Sequence, residues 1–583
     1  MRFVLLTILF VFTYVFINTA SFAGATSVGA VSTEAVSTGA VSTAADSLII
    51  QGRILNLNGR LYRQAPVITF SRNNILQPQL ELSKQAPLAA DGSFRVSLPM
   101  LYQKEEIYLD YSGKAFTTFL GSPGTIEITF DGDSLVKAKR LFYFSGVNAD
   151  ANNQYYSFLA EENKRLASSP ELGPRFYDTF WEKSPEEAQS FAKKRAELRI
   201  SALSKVASTN IIDPSLRQWA SSLSDDEMYQ NLFEYALSNR YALGKDLLDS
   251  LVRLSKSPLT AQRVTWANRF GNYADQKVVE KKYANPNRNH SLPVRLMAAM
   301  IRNNSSRLTA DEIARLDEIT EKGIAEKSEL DFLNKLYAKN EAILNLLFDF
   351  ERESRIYGDL FDSTARELLK ARYLPKNFYR YNYKEQAVLG KYIQTRLSSA
   401  QFRQSLDEIV KIELKDSADI KKIIAFNNVR PEPTEALPGY YLSTSNERGT
   451  SWLNKILEKY KGRTIYLSKW NLEDDKSREE MEYMMTLQAQ LPEDIVFVFL
   501  HLPGTERIVS IDLVKQYIVR HRLKGIHLSL NENQVMDLLF KLNPIEPGTF
   551  SIFRPNGKSF SKNAPGPSST EKAVQAVLEA QSK

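Results

Sequence analysis

A chain of 583 residues with 43% hydrophobic and 25% charged side chains has material for several cores, so more than one domain is expected. Its formal charge of +7, from 75 basic and 68 acidic residues, is slight for this length, and no Lys/Arg run marks a nucleic-acid footprint. Cysteine is absent, which excludes disulfides, thiolate nucleophiles and a lipid attached through an N-terminal cysteine.

Arg2 and the apolar residues 4–17, followed by the small residues of Ser21-Phe22-Ala23, form a secretory signal peptide pattern over residues 1–23. The apolar stretch is short for a retained spanning helix, and no later run is long and apolar enough to span a bilayer. Export to the periplasm is the expectation, with secretion as the alternative. Residues 24–46 repeat Ala-Val-Ser-Thr with a period of five and read as a low-complexity tether.

Residues 47–149 predict a β-sandwich. Short strands are expected at 48–54, 67–70, 93–98, 107–111, 125–130 and 144–147, with turns at Asp91-Gly92 and Pro123-Gly124. Residues 150–430 predict a helical region. Pro185-Glu186-Glu187 opens an amphipathic stretch to Val206, and Thr309-x-x-Glu312 is a capping box before Ile313, Leu316 and Ile319. Residues 330–352 and 401–424 carry similar periodicity, and Pro258, Pro286, Pro293 and Pro375 are expected breaks. The aromatic groups Phe176-Tyr177 with Phe180-Trp181, and Phe378-Tyr379 with Tyr381 and Tyr383, are read first as packing and second as a ligand groove. Pro431, Pro433 and Pro438 mark a linker.

Residues 431–583 comprise this linker and an α/β domain. A buried strand at 464–467 ends near Trp470, and a helix follows with Met481, Met484, Met485 and Leu491 turned inward. Residues 495–500 form an apolar run suited to a central strand buried on both faces. Helices at 511–519, 534–542 and 569–580 alternate with strands at 526–528 and 550–553, which implies a βαβ sheet.

Several local sequences carry a resemblance. They are Gly462-Arg463-Thr464-Ile465-Tyr466-Leu467, Trp470, Arg478-x-Glu480-Met481, Gly525-Ile526-His527-Leu528 and Asn563-Ala564-Pro565-x-Pro567-Ser568-Ser569. Together they resemble the TlpA-like family of exported thioredoxin-fold proteins. The β-region, through Gly52, Asp91-Gly92-x-Phe94 and Pro123-Gly124, resembles the small domain that precedes such folds in Bacteroidetes-type bacteria. The resemblance implies a Trp-Cys-x-x-Cys motif between Trp470 and Arg478. Here Asp474 falls at the nucleophilic cysteine and Ser477 at the resolving one, so thiol–disulfide exchange is excluded. The family's cis-proline aligns with Gly548 without a gap, and with Pro547 if one residue is inserted. Its groove for extended polypeptide implies Glu473, Asp475, Pro547 and Gly548 as lining residues.

The residues at this helix start admit four other readings. A carboxylate at Asp474 or Asp475 suits the positive end of a helix, and Ser477-x-x-Glu480 has capping-box spacing, so a capped structural helix is the first. Glu473-Asp474-Asp475 as a cation site lacks the alternating oxygen spacing of calcium loops. Asp474 with His501 or His527 is a conceivable acid–base pair, although His501 reads better as a satisfied polar residue. Ser477 as a nucleophile lacks an elbow motif and a positioned base. No catalytic residue, metal or cofactor is assigned. The expected function is a redox-inactive binding or scaffolding protein of the cell envelope, whose partner is an envelope protein or peptide rather than nucleic acid. The alternative is a non-redox enzyme using carboxylates at the degenerate motif or a site in the helical region.

Overall fold

The computed structural model describes residues 47–135, 140–209, 211–244, 257–284, 292–305, 307–504 and 509–582. The expected signal peptide and tether lie outside the described residues.

The N-terminal region forms two four-stranded sheets, ordered β4-β1-β7-β8 and β3-β2-β5-β6. The strands are β1 (Ser47–Leu55), β2 (Val67–Asn74), β3 (Gln77–Pro87), β4 (Ser93–Pro99), β5 (Glu105–Tyr111), β6 (Ala115–Gly121), β7 (Gly124–Asp131) and β8 (Tyr143–Gly146). Leu48, Ile50 and Ile54 point from one sheet, and Ile68, Phe70 and Ile107 from the other, into a shared core. Gly52 is required in β1, because a Cβ there would stand 1.9 Å from the Ile128 carbonyl oxygen of the parallel neighbour β7. Strands β3 and β6 were not expected.

Helices run from Ala149–Ser168 to Ser417–Ala425. Among the predicted starts, Thr309 forms both bonds of its capping box with Glu312. Pro293 precedes the helix Val294–Asn304, whereas Pro375 sits inside the last turn of Ser363–Lys376 rather than before a break. Pro286 lies outside the described residues. Ile75, Leu76 and Tyr102 from the sandwich join the main helical core around Trp266, Phe270 and Phe350. The junction is also polar. Buried Arg72 pairs with Glu408, and Asn74 Nδ2 donates to the Ser405 carbonyl at 3.0 Å. Buried Glu106 accepts from Trp219 Nε1 at 3.1 Å and from the Ala261 N–H at 2.9 Å. Each of these buried polar groups gains the partner that burial demands.

The C-terminal region is a seven-stranded sheet in the order β15-β14-β11-β12-β13-β10-β9. Its strands are β9 (Thr434–Leu437), β10 (Tyr440–Thr444), β11 (Ile465–Trp470), β12 (Val496–His501), β13 (Gly525–Ser529), β14 (Thr549–Phe553) and β15 (Ser559–Ala564). The central strands β11, β12, β13 and β10 run parallel, while β9, β14 and β15 pair antiparallel. Helices cover both faces and build two cores, one around Tyr466, Trp470 and Phe499 and one around Trp452, Leu467 and Val498. The expected proline linker is partly sheet: β9 and β10 form a hairpin across Pro438-Gly439, where Gly439 has φ of +85°.

Candidate functional site

Strand β11 is buried along its whole length and delivers Trp470 to the carboxyl end of the parallel strands. The chain then turns through residues 471–474 into the helix Asp475–Glu482. Asn471 shapes the turn: its Oδ1 accepts the Glu473 N–H at 2.7 Å, and its Nδ2 donates to the Leu502 carbonyl at 2.9 Å. Asp474 is the N-cap, accepting the Ser477 N–H at 2.7 Å. Ser477 is buried, and its Oγ accepts the Asn471 N–H at 3.2 Å. The two positions that would carry cysteines thus hold the helix start together.

The expected Ser477–Glu480 capping box does not form. The helix begins ahead of Ser477, so Ser477 is its third residue and Asp474 takes the cap. Glu480 instead crosses to the C-terminal segment, accepting from the Ser568 N–H at 2.9 Å and Ser568 Oγ at 2.7 Å. The helix also stops sooner than expected. Tyr483 separates it from Met484–Gln490, and this break turns Met485 outward while Met481 and Met484 stay buried.

Neither histidine pairs with Asp474. His527 Nε2 lies 2.7 Å from the Leu523 carbonyl, and its ring stacks on Phe499. His501 meets the Trp470 ring edge-on, with centroids 5.1 Å apart. Contrary to expectation His501 is not satisfied: its Nε2 and the Trp470 Nε1 are both buried without a hydrogen-bond partner. Burial pushes each imidazole down to about 4, so both are neutral at pH 7. Among the described residues no group of three or more His, Asp and Glu converges as a metal site.

Gly548 does face the helix start, with a φ of +69°, and a Cβ there would come within 2.9 Å of the Lys476 side chain. Its N–H donates to the Lys469 carbonyl at 2.9 Å. The cis peptide among the described residues joins Asn543 to Pro544, so neither Pro547 nor Gly548 carries the expected cis bond. Sequence reasoning passed over Lys469. This fully buried lysine donates to the Pro544 carbonyl at 2.5 Å, Ser551 Oγ at 3.2 Å and the Lys562 carbonyl at 3.3 Å, which fixes the loop before β14. Burial lowers its ammonium to about 8, with Glu546 opposing.

The two flanks of the helix differ. On one, Asp475 and Lys476 are exposed beside Gly548 and half-buried Pro547. On the other, the helical region is docked. The Arg478 guanidinium lies 3.8 Å from the Tyr379 ring centroid, a cation–π contact, and also pairs with Asp475. Gln516 accepts the Tyr383 N–H and donates to the Tyr381 carbonyl, each at 2.9 Å. Arg520 pairs with Glu413 at 2.8 Å, and Lys515 donates to the Phe426 carbonyl at 2.8 Å. The second aromatic group of the helical region therefore belongs to this seam. The first packs in a core of its own, where Phe176 and Phe180 are buried against Phe191 and Tyr235.

The seam holds a half-open cavity of about 190 Å³, lined by Phe378 and Tyr379 of the helical region, Leu76 of the sandwich, and Arg478, Glu482, Tyr517 and Arg520 of the C-terminal region, among others. Burial, reinforced by Glu479, pushes the Glu482 carboxyl up to about 7 against the opposing charge of Arg478. The surrounding protein crowds this carboxyl, yet the residue as a whole is exposed, so its proton equilibrium is reachable from solvent.

No protein-family model matches the chain, and no curated protein matches it. Among solved structures, it is similar to a solution structure from Bacteroides vulgatus described as a thiol-disulfide oxidoreductase. The match has 24% identity and a TM-score of 0.18, and covers 21% of this chain and 80% of the other. With no cysteine anywhere, this chain has no nucleophile for that chemistry. No helix among the described residues is long and apolar enough to cross a membrane.

Proposed function

We propose that the protein is an exported, redox-inactive member of the TlpA-like thioredoxin-fold group that works as a binding or scaffolding module of the cell envelope. The observation that carries this reading is the asymmetry of the helix Asp475–Glu482. Its start is capped by Asp474 and one flank is docked against the helical region, while on the other Asp475 and Lys476 are exposed to solvent beside half-buried Pro547 and buried Gly548. Thioredoxin-like folds accept extended polypeptide along such a flank, and the occupant proposed here is a segment of an envelope protein or peptide. Because Asp474 is engaged as a cap and both nearby histidines are neutral and unpaired with it, the helix start offers no acid–base couple for the enzyme alternative.

The test is crosslinking in intact envelopes with a photoreactive residue at position 476, compared with the same probe in an Asp475→Ala/Pro547→Ala background. The reading predicts a discrete adduct that the double substitution removes. An adduct that persists unchanged in that background moves partner binding away from this flank and contradicts the reading.

A further inference from the structure

Most buried charges where the sandwich meets the helical region are matched. Arg72 is held by Glu408 and lies 3.8 Å from Glu105, whose Oε1 accepts the Tyr102 N–H at 2.7 Å. Glu227 is shared by Arg195 at 3.1 Å and Arg199 at 2.7 Å. Asp226, next to it on the helix Pro214–Asn239, is the exception. It is 0% exposed and pairs with no cation among the described residues. Thr260 Oγ1 donates to its Oδ2 at a long 3.3 Å, and its Oδ1 has no partner. The charges facing it are opposed: Arg263 attracts, while Asp225 on its own helix and Glu106 of β5 repel. Arg263 is turned elsewhere, its Nη1 donating to the Ser257 carbonyl at 2.6 Å, with the Tyr102 phenol as its other near neighbour. A carboxylate so poorly compensated favours keeping its proton, and burial pushes this one up to about 7. The segment it touches ties the two regions together. The Leu259 N–H donates to the Lys104 carbonyl at 2.9 Å and the Glu106 N–H to the Leu259 carbonyl at 2.8 Å, so residue 259 extends the sheet beside β5. The Glu106 carboxylate accepts the Ala261 N–H at 2.9 Å, where the helix Ala261–Ala284 begins.

We propose that Asp226 is a proton-operated latch of this junction: protonated, it lets residues 257–261 stay seated on β5, and ionised, it loosens that seat. The ionised form sets a second negative charge against Glu106, the group that holds the Ala261 N–H, and its one hydrogen bond is to Thr260 in the same segment. Opening the junction gives the carboxylate water, so ionisation favours the open form. The sign follows from linkage. An acid whose pKa is raised in the docked state stabilises docking when protonated. That advantage is lost as pH rises from the ordinary carboxylate range through about 7, and the cost is constant above it. The latch is therefore poised near neutrality. It does not depend on the partner-binding flank of the C-terminal region.

The experiment is hydrogen exchange of the purified protein at about pH 6 and about pH 8, corrected for the intrinsic pH dependence of exchange, in wild type and Asp226→Asn. In wild type, protection of the Glu106, Leu259 and Ala261 amides is expected to fall about tenfold from the lower to the higher pH, while β11 and β12 keep theirs. Asp226→Asn, which mimics the protonated form, is expected to hold the three amides protected at both values. Wild-type protection there that does not change with pH would overturn the proposal, and this comparison stands whether or not the variant folds. So would an equal fall in Asp226→Asn, or weaker protection than wild type at about pH 8, which would mean that Arg263 holds the carboxylate as a favourable partner.

Discussion

Asp474 carries more structure than its neighbour Asp475, although the two look interchangeable in the sequence. Asp474 accepts the Ser477 N–H and closes the helix start, whereas the Asp475 side chain is 86% exposed and meets only Arg478 on its own helix. Removing a cap costs about 1 kcal/mol, while an exposed pair three residues apart contributes a few tenths. Asp474→Ala is therefore expected to lower the urea midpoint of the C-terminal region measurably, and Asp475→Ala to leave it nearly unchanged. Trp470 fluorescence is a suitable readout, since the indole is fully buried next to the turn. A larger loss in Asp475→Ala would show that the cap is misassigned. The carboxylate-for-cysteine replacement was legible in the sequence because a helix N-terminus favours an anion whatever its chemistry. Glu480 was not, because the choice between a local cap and Ser568, 88 residues away, depends on tertiary packing.

At the scale of elements, the helix Asp475–Glu482, the helix Ile511–Arg520 and the turn at 378–383 form one seam. Gln516 is its polar centre, making one bond to an N–H and one to a carbonyl of the helical region. Gln516→Ala leaves both backbone groups without their partner and is expected to destabilise the seam by about 1–3 kcal/mol. Hydrogen exchange should then quicken at residues 378–386 and 511–520 while β11 and β12 keep their protection. Uniform exchange across the chain, equal to wild type, would mean that other contacts hold the seam. Which elements could be read in advance follows the physics of each. The strand at 495–500 is a continuous apolar run and was plain. The β9–β10 hairpin was taken for a linker because Pro431, Pro433 and Pro438 crowd a short edge, where proline is tolerated. Strand β3 escaped notice because its Gln77-Pro78-Gln79 start is polar, and β6 because Thr117 and Thr118 interrupt its apolar pattern. The seam itself left no periodic signal. Arg478, Gln516 and Arg520 are ordinary surface residue types, and only the packing of distant elements gives them partners.

For the whole molecule, sandwich, helices and C-terminal sheet each bury their own core, yet polar contacts bind the three together at Arg72–Glu408 and at the Gln516 and Arg520 seam. The central claim is that this assembly holds one flank of the helix Asp475–Glu482 closed and the other open. A chain without cysteine allows a clean test, since any introduced thiol is the sole reactive one. The measurement is the rate of maleimide labelling of Lys476→Cys and of Gln516→Cys in the folded protein, each scaled to its rate in urea. The account predicts rapid labelling at position 476 and strong protection at position 516. Equal rates at the two positions, or protection at 476 with ready labelling at 516, would contradict it.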